Sequence, residues 1–157
     1  MAIAVYPGSF DPFTYGHLDI AIRAAKMFDT VHVVVVHNPN KKPRFSAAER
    51  VAMISAVLED KQGHFVVNSF DSGLLVDYCK TIHADALVKG IRSTVDLDYE
   101  LPMAQVNRDL SGIETVFIPG DPVHGFVSSS LVKQVADLGG DISKYVPEQV
   151  ARRLLAK

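Results

Sequence analysis

Short runs of β-branched and other apolar residues alternate along the chain with longer segments whose apolar positions recur at helical spacing. The runs Ile3 to Tyr6, Val31 to His37, Phe65 to Ser69, Ala86 to Val88 and Thr115 to Ile118 predict strands. Val31 to Val36 is almost unbroken apolar sequence, as a central strand covered on both faces requires. Between strands, Leu18, Ala21, Ile22, Ala25 and Phe28 form one helical stripe, and Leu74, Leu75, Tyr78 and Ile82 form another. Ser46 and Glu49 make a capping box ahead of Val51, Ile54 and Leu58, and those two polar residues are read simply as a helix start. Leu97 to Arg108 predicts a fourth helix, in which Pro102 either marks the first turns or bends the helix. "SSSLVKQVADLGG" reads as a helix entered through serines and closed by Gly139 and Gly140. A last short helix starts with Pro147 near its first position and ends in "RRLLAK".

This alternation is the pattern of βαβ units. It predicts an α/β fold: one Rossmann-like domain over residues 1–157, an open parallel sheet with helices on both faces. No repeat, low-complexity tract or linker interrupts it. A chain of 157 residues, 48% of them hydrophobic, is long enough for one well-buried core and short for two. Sixteen basic and 18 acidic side chains give a net charge of −2, so nothing draws the whole surface to nucleic acid or an anionic membrane, although a local lysine cluster can hold an anion. The single cysteine, Cys79, excludes an internal disulfide framework and reads as a packed thiol, which fits a reducing compartment. "MAIAVYPG" lacks a basic lead and a long apolar core and reads as a first strand, not a signal peptide. No segment approaches the roughly 20 apolar residues that span a bilayer, and the expected location is the cytoplasm. The six histidines form no H-E-x-x-H or Cys/His cluster, so no metal-binding residues are expected.

The least regular stretches, "HNPNKKPRF" and "PGDPVHGF", follow strands, at the sheet edge where open parallel folds bind ligands. The first strand runs into "PGSFDPFTYGHLDIA". Gly8 can take backbone geometry closed to other residues, and Gly16 can let a ligand approach. His17 falls in the first helical turn, where N–H groups and the dipole favour an anion and an imidazole can donate to phosphate oxygens. Taken alone, a Gly-His pair is more often packing and surface, and Asp11 and Pro12 more often turn residues. Neither G-x-x-x-x-G-K-[ST] nor G-x-G-x-x-G is present. Any nucleotide is therefore bound by another route.

"TYGH" resembles the T/H-x-G-H signature of the nucleotidylyltransferase superfamily, and "YPGSFDPFTYGH" resembles the opening of its bacterial phosphopantetheine adenylyltransferase family. "NPNKKPRF", "VKGIRSTVDLDYE" and "GFVSSSLVKQVA" continue the resemblance in the family's order and approximate spacing, over essentially the whole chain. The resemblance implies reversible transfer of the adenylyl group of ATP to 4′-phosphopantetheine, with dephospho-coenzyme A and pyrophosphate as products. It also implies magnesium carried with ATP, coenzyme A as feedback inhibitor, and a homohexamer.

By the same resemblance His17, Lys41 and Arg92 are catalytic: His17 at the α-phosphate, Lys41 bridging acceptor phosphate and reacting phosphoryl group, Arg92 on the ATP phosphates. Lys42 is peripheral. The implied ATP site comprises Ser9, Phe10, Gly16, His17, Arg92, Glu100, Ser128, Ser129 and Ser130, with Glu100 near the ribose. Ser9, Lys41, Leu74 and Lys89 are the implied phosphopantetheine site. Lys89 stands where many relatives carry arginine, which keeps the charge but loses the two-donor fork. Each position also has a plainer reading: a solvated basic loop for "KKPR", N-capping for the serines, a solvated acid for Glu100, core packing for Leu74. Asp11 either holds the turn or orients ligand groups, and His124 is a candidate for the substrate edge only. Because a phosphate monoester's second pKa is about 6, the acceptor needs little help from a base. The site must instead hold two anions in line and neutralise charge at the α-phosphate. Two other readings remain open at this point. One is a relative acting on nicotinate mononucleotide or a glycerol- or choline-type phosphate, and the other is a nucleotide-binding regulator without turnover.

Overall fold

The five strand-forming runs become a five-stranded sheet, β3-β2-β1-β4-β5, with every neighbouring pair parallel. The structure is a computed structural model and describes residues 1–156. The strands are β1 (Ile3–Gly8), β2 (Thr30–Val36), β3 (Phe65–Phe70), β4 (Ala86–Ile91) and β5 (Glu114–Pro119). The helices are α1 (Tyr15–Ala24), α2 (Ala47–Leu58), α3 (Leu75–Thr81), α4 (Thr94–Ser111), α5 (Ser129–Asp137) and α6 (Glu148–Leu155), with a short 3-10 turn at Pro122–His124.

Strand alternation sorts the core into two layers. Ala4, Tyr6, Val31, Val33, Val35, Val88 and Ile118 face the larger one, with the buried sides of α1, α2, α5 and α6. Val5, Val34 and Leu87 face the smaller one, closed by Val76 and Cys79 of α3. Cys79 is thus the packed thiol expected, and burial pushes its pKa up to about 11. The Ser46–Glu49 capping box forms as read, with reciprocal bonds of 2.8 and 3.1 Å.

Two elements differ from the pattern-based reading. The ladder of β4 with β5 continues through Lys89–Phe117, Gly90–Ile118 and Ile91–Pro119, so Lys89 sits inside a strand, not after it. The backbone pairs regardless of the charge, because the Lys89 side chain leaves the sheet to meet Glu100 at 3.3 Å. The fourth helix starts three residues early, at Thr94, because Ser93 caps it by accepting from the Asp96 N–H at 3.2 Å. Pro102 therefore lies well past the first turn.

From β1 the chain moves outward through β2 to β3, then returns to place β4 on the other side of β1. The carboxyl ends of β1 and β4 thus frame the crevice where open α/β sheets bind ligands.

Candidate active site

The β1–α1 turn is built tightly. A Cβ on Gly8 would lie 2.7 Å from the Phe10 ring, and Phe10 itself has φ 46°, a left-handed backbone uncommon for a bulky residue. The reward of that geometry is a buried aromatic platform: Phe10 meets the His17 ring edge-on at 5.1 Å, and Phe13 stacks on it at 5.6 Å. Thr14 caps α1 by accepting from the His17 N–H at 3.3 Å, while His17 Nδ1 accepts from the Thr14 N–H at 3.0 Å. An Nδ1 that accepts a backbone N–H carries no proton, so the neutral ring is protonated on Nε2. Burial, with the Arg92 cation adding to it, pushes the His17 pKa down to about 4. His17 is therefore a fixed neutral donor with its Nε2–H left for a ligand.

Asp11 organises the next loop. Its carboxylate, 5% exposed, accepts from the N–H groups of Arg44 (2.8 Å) and Phe45 (3.0 Å) and from Lys133 Nζ (2.9 Å). Burial pushes its pKa up, but the Arg44 N–H, Lys133 and the Phe45 N–H outweigh that and hold it below the usual carboxylate value. Of the two roles left open for Asp11, these bonds favour holding the turn.

Two openings meet at the N-terminus of α5. A cavity of about 420 Å³ is lined by Gly16, His17, Arg92, Glu100, Ser128 and Ser129 among others. A narrower cleft beside it is lined by Ser9, Lys41, Ser129 and Ser130, with Asp11 and Lys133. Ser129 belongs to both. The Ser128 hydroxyl accepts from the Leu131 N–H at 3.1 Å, and Ser129 donates to the Pro12 carbonyl at 2.7 Å. Two of the serine hydroxyls are thus occupied in building the turn, and the helix's leading N–H groups are what it offers an anion.

Most of the residues singled out in the sequence converge here. Arg92 is tethered over the large cavity, donating to the Val127 carbonyl at 2.6 Å and to Asp96 at 3.4 Å. A Cβ on Gly16 would meet only ordinary contacts, Thr14 Oγ1 at 3.5 Å and His124 Cβ at 3.6 Å, so the protein itself does not demand glycine there. The Phe10 side chain is buried, 3% exposed, and supports His17 from behind. Lys89 reaches Glu100 and lines neither opening; Leu74, half-exposed at the N-cap of α3, also lines neither and is not in the core. Sequence reasoning missed Lys133 and Arg50. Arg50 is 4% exposed and donates to the carbonyls of Ser9 (2.7 Å) and Phe45 (3.0 Å), fixing the wall of the cleft. The spacing of Lys133 four residues after Ser129 was the available signal, since both then share a helix face.

Comparison with known proteins shows the family and the fold. A family model described as cytidylyltransferase-like matches residues 5–135. A phosphopantetheine adenylyltransferase of Leifsonia xyli subsp. xyli is 57% identical over 154 residues, covering 97% of this chain and 96% of the relative. Those of Clavibacter michiganensis subsp. michiganensis and Caldanaerobacter subterraneus subsp. tengcongensis are 54% and 48% identical, over 99% and 100% of this chain and 96% and 98% of theirs. Among solved structures, a Vibrio parahaemolyticus protein ascribed to the nicotinate-nucleotide adenylyltransferases superposes with a TM-score of 0.70 over 99% of this chain and 93% of its own, at 20% identity. That likeness shows the fold alone.

Proposed function

The chain belongs to the phosphopantetheine adenylyltransferase family, within the cytidylyltransferase-like proteins, and from that membership we propose how its site works. The protein transfers the adenylyl group of ATP to 4′-phosphopantetheine, giving dephospho-coenzyme A and pyrophosphate, a step of coenzyme A biosynthesis. The observation that carries the mechanism is the N-terminus of α5 shared by two openings through Ser129. We assign the large cavity to ATP and the cleft to the acceptor phosphate.

In this reading an acceptor phosphate oxygen attacks the α-phosphorus, and the bond from that phosphorus to the bridging oxygen of pyrophosphate breaks with its electron pair. No proton has to move, because the acceptor is already largely ionised. His17 Nε2–H and the α5 N–H groups donate to the α-phosphate oxygens as charge builds there. Lys41, with Lys133 behind it, neutralises the acceptor, and Arg92 meets the departing phosphates. Ser9 and Ser130 line the cleft, Ser130 being assigned to the β- or γ-phosphate on family resemblance alone, and Glu100 belongs to the nucleotide wall. Phe10 contributes through the ring that fixes His17. We assign Lys89 and Leu74 to the acceptor on family resemblance, since neither lines the cleft.

Magnesium arrives bound to ATP. Such an ion is held by phosphate oxygens and water in place of a dedicated protein cage. We read residues 1–157 as one nucleotidylyltransferase domain, supported by Ile142, Val146, Val150 and Leu154 packing in the main core beyond the matched segment. A cytoplasmic location and feedback inhibition by coenzyme A are proposed on the same basis; no helix among the described residues is long and apolar enough to cross a membrane. Assembly into a hexamer is proposed on family resemblance; α4, which buries no residue and exposes Met103, Val106 and Leu110 at helical spacing away from the cavity lining, offers an apolar face for contact between copies.

The test is pyrophosphate release from ATP and magnesium with 4′-phosphopantetheine, beside nicotinate mononucleotide and glycerol 3-phosphate. Release with phosphopantetheine alone is expected. Release with either other acceptor, or with none from a sample that binds ATP, overturns the assignment.

A further inference from the structure

Tyr6, near the carboxyl end of β1, is 4% exposed, and its ring meets Phe10 edge-on at 5.2 Å. A buried tyrosine hydroxyl ordinarily finds a partner. This one bonds to no other described residue, yet it is not sealed in: the fully enclosed, unpartnered side-chain polar atom among the described residues is Thr115 Oγ1, whereas Tyr6 opens on the large cavity. Burial raises its pKa, and the nearby Asp19 carboxylate adds to the rise, so the hydroxyl stays protonated.

The surroundings select what it can meet. Ile20, Gly90, Ile91, Val95 and Val127 share that cavity and are apolar or bare backbone. Phosphates are drawn instead to His17, Arg92 and the α5 N-terminus. An anion at the Tyr6 hydroxyl would also face Asp19, which is tied nearby by Arg23 at 3.1 Å and by the Asp121 N–H at 3.4 Å. A neutral acceptor suffers no such repulsion. We infer that Tyr6 is a specificity-determining residue of the nucleotide cavity whose hydroxyl donates to a ring nitrogen of the purine base. This rests on the assignment of that cavity to ATP.

The test is ATP binding by calorimetry to the wild type and to Tyr6→Phe, which removes one oxygen and keeps the ring against Phe10, with 1-deaza-, 3-deaza- and 7-deaza-ATP as probes. The variant is expected to bind ATP about tenfold more weakly, the worth of one neutral hydrogen bond, with its melting temperature within a few degrees. One deaza analogue should bind the wild type about tenfold more weakly than ATP does, and the variant no more weakly than ATP does. Equal ATP affinity in both proteins overturns the inference. So does a wild type indifferent to all three analogues, a result that needs no variant at all. So does a variant that loses the same factor with ATP and with every analogue. Pyrophosphate release by the wild type is read separately, so failure of turnover counts against the reaction and failure of the binding pattern counts against Tyr6.

Discussion

His17→Ala tests the central claim about the α-phosphate. The substitution removes the Nε2–H donor, and it also leaves the Thr14 N–H, 3.0 Å from Nδ1 in the wild type, without its acceptor. Losing one preorganised donor to a developing oxyanion typically lowers turnover by about 10²–10³, or about 2.7–4 kcal/mol of transition-state stabilisation. Ground-state ATP carries less charge at that position, so its dissociation constant should change by less than about threefold. Adenylylation kinetics with saturating phosphopantetheine, alongside calorimetry with ATP, separate the two. The second variant, His17→Gln, offers an amide N–H near the Nε2 position and should recover part of the lost turnover. Because burial holds the His17 pKa at about 4, its protonation state does not change between about pH 5.5 and 9. An acid limb near pH 6 belongs to the acceptor phosphate and should survive in His17→Gln. Equal losses in binding and turnover, or a limb near 6.5 that vanishes in the glutamine variant, would refute the neutral-donor reasoning.

The same shift makes a stability prediction. A histidine at 6.5 when unfolded and about 4 when folded adds stability that is whole above pH 6.5 and is lost as pH falls toward 4, by about 3 kcal/mol at most. Urea midpoints of wild type and His17→Gln should therefore converge between pH 6.5 and 4.5, and parallel curves would contradict the burial argument. Asp11→Asn keeps the shape but leaves Lys133 and two loop N–H groups short of a carboxylate. It should lower unfolding stability by about 2–3 kcal/mol in urea titrations, whereas a loss under about 0.5 kcal/mol would make the Asp11 hub incidental. Lys41→Ala should weaken phosphopantetheine binding by about tenfold or more while leaving unphosphorylated pantetheine unchanged, measured by calorimetry; equal effects on both would remove Lys41 from the phosphate cleft.

The sheet was legible because its signals are local. Val31 to Val36 admits no reading but a doubly covered strand, and the Ser46–Glu49 pair writes a helix start into four residues. What escaped depended on distance. The spacing of Lys133 from Ser129 puts both on one helix face but does not name its partner Asp11, 122 positions away, and Arg50 looks like the tail of a capping box until its guanidinium is seen holding the Ser9 carbonyl 41 positions back. Lys89 shows the complementary failure. The predicted strand stopped at Val88, just before it, yet a strand tolerates a charge when the side chain can leave the sheet for a carboxylate. The Thr14–His17 reciprocal cap was readable in principle, since "TYGH" has capping-box spacing with histidine in the place of glutamate.

Charge is divided unequally between the two openings, in the sense that their proposed ligands require. The charged groups lining the large cavity are Arg92 against Asp96, Glu100 and Asp121; those lining the cleft are Lys41, Arg50 and Lys133 against Asp11. One cation with three carboxylates suits a nucleotide that brings its own divalent ion. Three cations with one carboxylate suit a phosphate that brings none. Salt should expose this difference, because attraction between solvent-exposed charges is screened beyond the Debye length, which shrinks from about 8 Å at physiological ionic strength to about 3 Å at 1 M. Raising potassium chloride from 0.05 to about 0.5 M at constant free magnesium should increase the KM for phosphopantetheine several times more than that for magnesium-ATP. The cleft's exposed Lys41 makes the acceptor the screened partner, while the nucleotide's attraction to Arg92 is already offset by Asp96. A KM for ATP that rises as steeply as that for the acceptor would refute the charge-division argument, and one that rises more steeply would exchange the assignment of the two openings.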